Sequence, residues 1–219
     1  MTAPSLITLG FDTSGPYCSA AILQGDTCLA AVHEDMTRGQ AEQLMPLLEQ
    51  CLREADLTWA QIDRIGVGVG PGNFTGIRIA VSAARGLALG LGKPAFGVSL
   101  LEACAYGTDG PRLAALSAPR GQAYVQGFGG AAPASLSLID VETAELVITP
   151  GTACIGSAAA PLADRLGLTH RPAAFAPGSA VARIAARVDA ATAGPPTPLY
   201  VRPADAAPPR DAPPTLIDG

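Results

Sequence analysis

The chain has 219 residues, 48% of them hydrophobic, with a mean hydropathy of +0.30, which suffices for a sizeable core and excludes general disorder. Its net charge of −5 gathers in the first half: residues 1–110 carry 11 acids against 6 bases, and residues 111–219 carry 8 of each. Seven acids fall between Glu34 and Asp63 against two bases. The chain alone therefore lacks the positive surface that a phosphate backbone requires, and any role on RNA would pass through a partner.

The apolar run Leu6 to Phe11, bounded by Gly10 and Asp12, predicts a buried strand. A second run, Cys18 to Leu23, turns at Gln24-Gly25-Asp26 and returns as Thr27 to His33. Gln40 to Ala55 predicts a helix with Leu44, Leu47, Leu48, Cys51 and Ala55 on one face, and Pro46 is expected to kink it or mark its start. Ile62 to Gly70 reads as a glycine-spaced strand, followed by the tight loop Pro71-Gly72-Asn73-Phe74-Thr75-Gly76 and a second helix, Thr75 to Leu91, rich in small residues. Lys93-Pro94 closes that helix, and Ala95 to Val98 is the next strand. After Gly107–Pro111 the order strand, loop, strand recurs over Leu113–Leu116, Ser117–Gly121 and Ala123–Phe128, a weak echo of the opening that predicts two similar lobes. Short helices are expected over 158–167 and 179–192. From Gly194 onward eight of 26 residues are proline, which excludes helix and central strand, with Leu199-Tyr200-Val201 pinning the start of the tail. The expected organisation is an α/β chain: a lobe over 1–108, a smaller degenerate lobe over 109–201 and a Pro/Ala-rich flexible tail over 202–219.

Two loops bear on chemistry. Asp12-Thr13-Ser14, a carboxylate and two hydroxyls at a strand end, suits a magnesium ion or a phosphate and equally suits a turn in which Asp12 accepts backbone N–H bonds. Gly70-Pro71-Gly72-Asn73-Phe74-Thr75-Gly76 delivers a helix N-terminus, a natural anion site, and equally reads as a structural turn with Thr75 as N-cap. It lacks the Gly-Lys-Ser/Thr of a Walker loop. The remaining inventory is thin. His33 and His170 are separated, no zinc or iron motif occurs, and no metal site is expected. No nucleophile elbow occurs, and Cys51 and Cys104 sit among apolar residues. The loop matching Asp12 by position, Ser117-Ala118-Pro119-Arg120, has no carboxylate for magnesium, and Ile155-Gly156-Ser157 is at best a remnant of an adenosine-binding glycine pair. No catalytic residue is assigned. No apolar run reaches membrane-span length, the N-terminus has no basic residue, and the five cysteines form no CxxC pair, so a reduced cytoplasm is expected and no membrane partner.

Four blocks resemble the bacterial TsaB (YeaZ) family: Phe11–Ser14 with Cys18–Ile22, Arg38–Pro46, Val67–Ile79 and Pro198–Arg202. The match is strong over residues 5–106 and loose beyond. The resemblance implies two actin-like (ASKHA, ribonuclease H-like) lobes and a non-catalytic subunit of tRNA threonylcarbamoyladenosine (t6A) synthesis. That subunit binds and stabilises TsaD, the metal-bearing transferase that acts on the adenosine beside the anticodon, and the small ATPase TsaE joins them. It further implies that this chain alone binds no cofactor, with ATP or ADP a candidate at the TsaD interface, and that tRNA is met only through the complex. The implied interface, shared with a homodimer, is the pair of first-lobe helices: Gln40, Leu44, Met45, Leu48, Arg78, Ala80, Ala83, Ala84 and Leu87. Gln40 stands where many relatives have His, and Ser117-Ala118-Pro119 where many have Asp-Ala-Arg. An ATP-dependent small-molecule kinase of the same superfamily would need a second acid near Ser117. A peptidase, which the family was once called, would need a nucleophile or metal site.

Overall fold

A computed structural model describes residues 5–191 and 194–201; the tail expected over 202–219 lies outside the described residues. Two five-stranded sheets form the framework. The first comprises β1 (Ile7–Asp12), β2 (Tyr17–Gln24), β3 (Thr27–Asp35), β4 (Arg64–Gly68) and β5 (Ala95–Val98), in the order β3-β2-β1-β4-β5. The second comprises β6 (Arg112–Ala118), β7 (Gln122–Phe128), β8 (Ser137–Asp140), β9 (Ala153–Ile155) and β10 (Thr169–Arg171), in the order β10-β9-β6-β7-β8. The sheets correspond strand for strand: an antiparallel meander of three, then two strands added parallel to the first. The faint echo in the sequence is thus a full topological repeat.

On the first sheet, Leu9, Phe11, Ile65 and Val67 alternate with Gly10 and Gly66, as the two-residue period of a strand requires. The bulky face takes two helices. α1 (Gln40–Glu54) buries Leu44, Leu47, Leu48 and Cys51, the face read from the sequence, and runs unbroken through Pro46. α2 (Phe74–Leu91) buries Ile77, Ala80, Val81 and Ala84. By length and composition α2 alone among the described helices could cross a membrane, but these four residues belong to the core of the first lobe.

The other helices exchange partners. α3 (Leu100–Ala105), which follows β5, packs on β6 and β7 of the second sheet, whereas α5 (Pro177–Ala185), which follows β10, packs on β1, β2 and β4 of the first. α4 (Ala159–Leu166) stays with the second sheet. The span expected as one unit over 109–201 therefore contains the helix that covers the glycine face of the first sheet. That contact is backbone to backbone: a Cβ on Gly10 would lie 2.4 Å from the Ala182 nitrogen, and one on Gly178 would lie 2.6 Å from the Ala20 Cα.

Candidate functional site: the cleft between the lobes

A cleft of about 1190 Å³ opens between the two sheets, and the ends of β1, β4, β6 and β9 converge on it. At the end of β1, Asp12 is fully buried. Its Oδ2 accepts hydrogen bonds from the Ser14 N–H (3.1 Å) and the Ser14 hydroxyl (2.9 Å), while Oδ1 has no hydrogen-bond partner. Burial raises its pKa above the usual carboxylate range against the lowering effect of these bonds. The Tyr17 ring lies against the loop, since a Cβ on Gly15 would stand 2.2 Å from it. Burial, with the Asp12 charge second, holds the phenol well above its ordinary pKa. Ser14, Gly15 and Tyr17 line the cleft, and Asp12 and Thr13 do not.

The signature loop is committed to its neighbour. Thr13 Oγ1 donates to the Gly76 carbonyl (2.7 Å), and the Asn73 N–H donates to the Ser14 carbonyl (2.7 Å). The N-cap is Asn73, not the expected Thr75: its Oδ1 accepts from the Gly76 N–H at 2.9 Å. A Cβ on Gly76 would lie 2.0 Å from the Thr13 carbonyl oxygen, so only glycine lets the two loops touch. Gly70 (φ 97°) enters the turn in the left-handed region, and Pro71 is buried. Both loops form hydrogen-bonded turns. The first-turn amide of α2 at Gly76 is already met by Asn73, and the hydroxyls of Thr13 and Ser14 donate inward.

The second lobe repeats the layout with other residues in its loops. The β6–β7 turn is a tight Pro119-Arg120-Gly121, with Arg120 (φ 63°) and Gly121 (φ 70°) both left-handed. The Ser117 N–H donates to Ser157 Oγ at 2.9 Å. Ile155-Gly156-Ser157, read as an adenosine-motif remnant, sits between β9 and α4, which is the position of the signature loop in the repeat. His33 contacts Asp35 at 3.3 Å on β3, whereas His170 lies on β10 at the cleft. Cys104 reaches the cleft wall, and burial pushes its thiol up to about 12, as it does for Cys51, so neither is a thiolate at neutral pH. Among the described residues no group of three or more His, Cys, Asp or Glu could hold a metal ion.

The nine residues expected at a partner surface separate into two groups. Leu44, Leu48, Ala80 and Ala84 are buried in the core of the lobe, which corrects their placement: small and apolar positions at helical spacing define the inner face here. Met45 and Arg78 are exposed, and Gln40, Ala83 and Leu87 are half-buried. Arg78 is engaged within the chain, 3.9 Å over the Phe74 ring and 3.0 Å from the Tyr200 hydroxyl to which its Nε donates. With the Leu199 N–H bonded to the Val69 carbonyl (2.8 Å), this clasp pins the C-terminal segment, as the sequence indicated. Neither the clasp nor the exposure of Leu89 on α2 (87%) was foreseen.

This duplicated topology, with its loops converging on an interlobe cleft, defines the class: a two-lobed actin-like (ASKHA) protein. Residues 32–165 match the family model of TsaD, tRNA N6-adenosine threonylcarbamoyltransferase. An uncharacterized protein of Mycobacterium tuberculosis is 33% identical over 208 residues, 91% of this chain and 93% of that one. The tRNA threonylcarbamoyladenosine biosynthesis protein TsaB of Escherichia coli is 36% identical over 121 residues, about half of each chain (53% and 52%). Two solved structures from Pseudomonas aeruginosa, an uncharacterized protein with similarity to peptidase YeaZ and YeaZ itself, superpose with TM-scores of 0.73 and 0.61 at 24% and 25% identity, covering 90% of this chain and all of theirs. The chain belongs to the TsaB (YeaZ) family.

Proposed function

We propose that this chain acts in cytoplasmic tRNA threonylcarbamoyladenosine biosynthesis as a non-catalytic subunit. In this reading it binds and stabilises the TsaD transferase, TsaE joins the pair, and tRNA is contacted only through the complex. The observation that carries it is the spent state of both nucleotide loops. Asp12, Thr13 and Ser14 bond inward and are clamped to α2, while the matching Ser117–Arg120 turn has no carboxylate. A superfamily kinase needs acids facing the phosphates from these places, and a peptidase needs a nucleophile that the buried thiols do not supply. Nucleotide, in this reading, belongs at the junction with TsaD rather than on this chain alone.

The docking surface that fits is the outer face of α1 and α2. There Glu42, Glu49 and Glu54 offer negative charge to a basic partner, and Met45 and Leu89 offer apolar contact. Pairing of two copies through the same face would compete with it. The test is co-purification with TsaD from the same organism, read by size-exclusion chromatography with light scattering. The expected result is a one-to-one complex that Leu89→Glu weakens at least tenfold, about 1.4 kcal/mol, with no ATP turnover by the isolated chain. Two non-interacting peaks, or turnover by the isolated chain, would overturn the reading.

A further inference from the structure

The loops at the cleft are spent, yet the cleft is open, and its walls have a chemistry of their own. Tyr17, Leu100, Leu116, Tyr124 and Phe175 form an aromatic and aliphatic lining. A chain of net charge −5 places no Asp or Glu in that lining among the described residues, and Asp12 is sealed beneath the loop. Hard divalent cations take oxygen ligands, above all carboxylates, and the described walls offer no carboxylate to hold magnesium. Arg171 supplies positive charge instead. His170 and Arg171 form an exposed edge of the cleft on β10, which pairs with β9 through its backbone, and neither side chain has a hydrogen bond or ion pair among the described residues. Ser117 adds a hydroxyl from the β6–β7 side of the cleft.

We infer that the interlobe cleft binds a small organic anion with an apolar or aromatic body, anchored at the His170–Arg171 edge and taken up without a divalent metal. The volume accommodates a drug-sized ligand, for which roughly 300–1,000 Å³ suffices. The apolar walls supply hydrophobic burial, and the unpaired guanidinium supplies a bidentate partner for a carboxylate or sulfonate. This ligand class differs from a nucleoside triphosphate with its magnesium ion, for which the described walls offer no carboxylate. It is independent of whether the chain pairs with TsaD.

The probe is anilinonaphthalene sulfonate, titrated by fluorescence into the isolated full chain in buffer with EDTA. The expected result is one saturable site, displaced by dodecanoate and indifferent to added magnesium. His170→Ala/Arg171→Ala changes two exposed positions and is expected to weaken binding about tenfold at an unchanged melting temperature. Ala118→Trp fills the cleft from its wall and is expected to abolish binding; if that variant fails to fold, the double variant carries the test. Three results would overturn the inference: no saturable binding, equal binding by the double variant, or binding that requires magnesium.

Discussion

Asp12 shows how packing decides what a strand-end carboxylate bonds to. The sequence marks it at a strand end beside two hydroxyls, but the direction in which it bonds follows from packing. Gly68 lies so near that a Cβ there would fall 2.1 Å from Oδ1, and the carboxyl caps Ser14 instead of facing the cleft. Because burial raises the folded-state pKa above the ordinary 3.8, the folded chain holds this proton more tightly than the unfolded chain. The stability so contributed is complete below pH 3.8 and is lost as pH rises through the raised folded value. Asp12→Asn, which keeps an acceptor for Ser14 and cannot ionise, is therefore expected to be more stable than the wild type at pH 7, with the difference vanishing near pH 3. Asp12→Ala leaves the buried Ser14 N–H unpaired and should cost about 1–3 kcal/mol at neutral pH. Urea denaturation of both variants at the two pH values checks the pair, and in the proposed complex both should leave tRNA modification largely intact.

At the scale of elements, what the sequence revealed tracks the strength of the periodic signal. Helices α1 and α2 and the first seven strands carry apolar runs or sit beside clear turn signals, as β5 does after Lys93-Pro94, and their bounds follow within a few residues. Those of the six-residue α3 and the strands β8, β9 and β10 do not, because three to six residues hold too little of either period. β10, wholly exposed, has no apolar position at all. Direction was the harder problem. The small-residue face of α2 reads as a docking stripe, yet Ala80 and Ala84 are core, because that face packs on β4 and α1 in the apolar core of the first lobe. The two ends of α2 should therefore respond oppositely to one methyl group. Gly76→Ala meets the Thr13 carbonyl at 2.0 Å and should lose at least about 1–3 kcal/mol. Gly86→Ala meets nothing within 4 Å and should gain about 0.5–1 kcal/mol from helix propensity. Thermal melts of the two single variants decide it.

For the whole molecule, the exchange of α3 and α5 means that the two sheets are not two independent units. Cutting the chain after residue 108 leaves Gly10, Gly66, Phe96 and Val98 without the helix that covers them. The fragments 1–108 and 109–219 are expected to be largely unstructured apart and to recover native circular dichroism only when mixed; a cooperatively folded first fragment would contradict this. The same exchange sets a timetable during synthesis. The strands and first two helices of the leading lobe are made by residue 98, but the helix that closes their glycine face ends at residue 185. At translation speeds of about 5–20 residues per second, the nascent lobe waits on the order of 5–20 s with one face bare. It must survive that interval on α1 and α2 alone, in the keeping of whatever binds apolar surface near the ribosome.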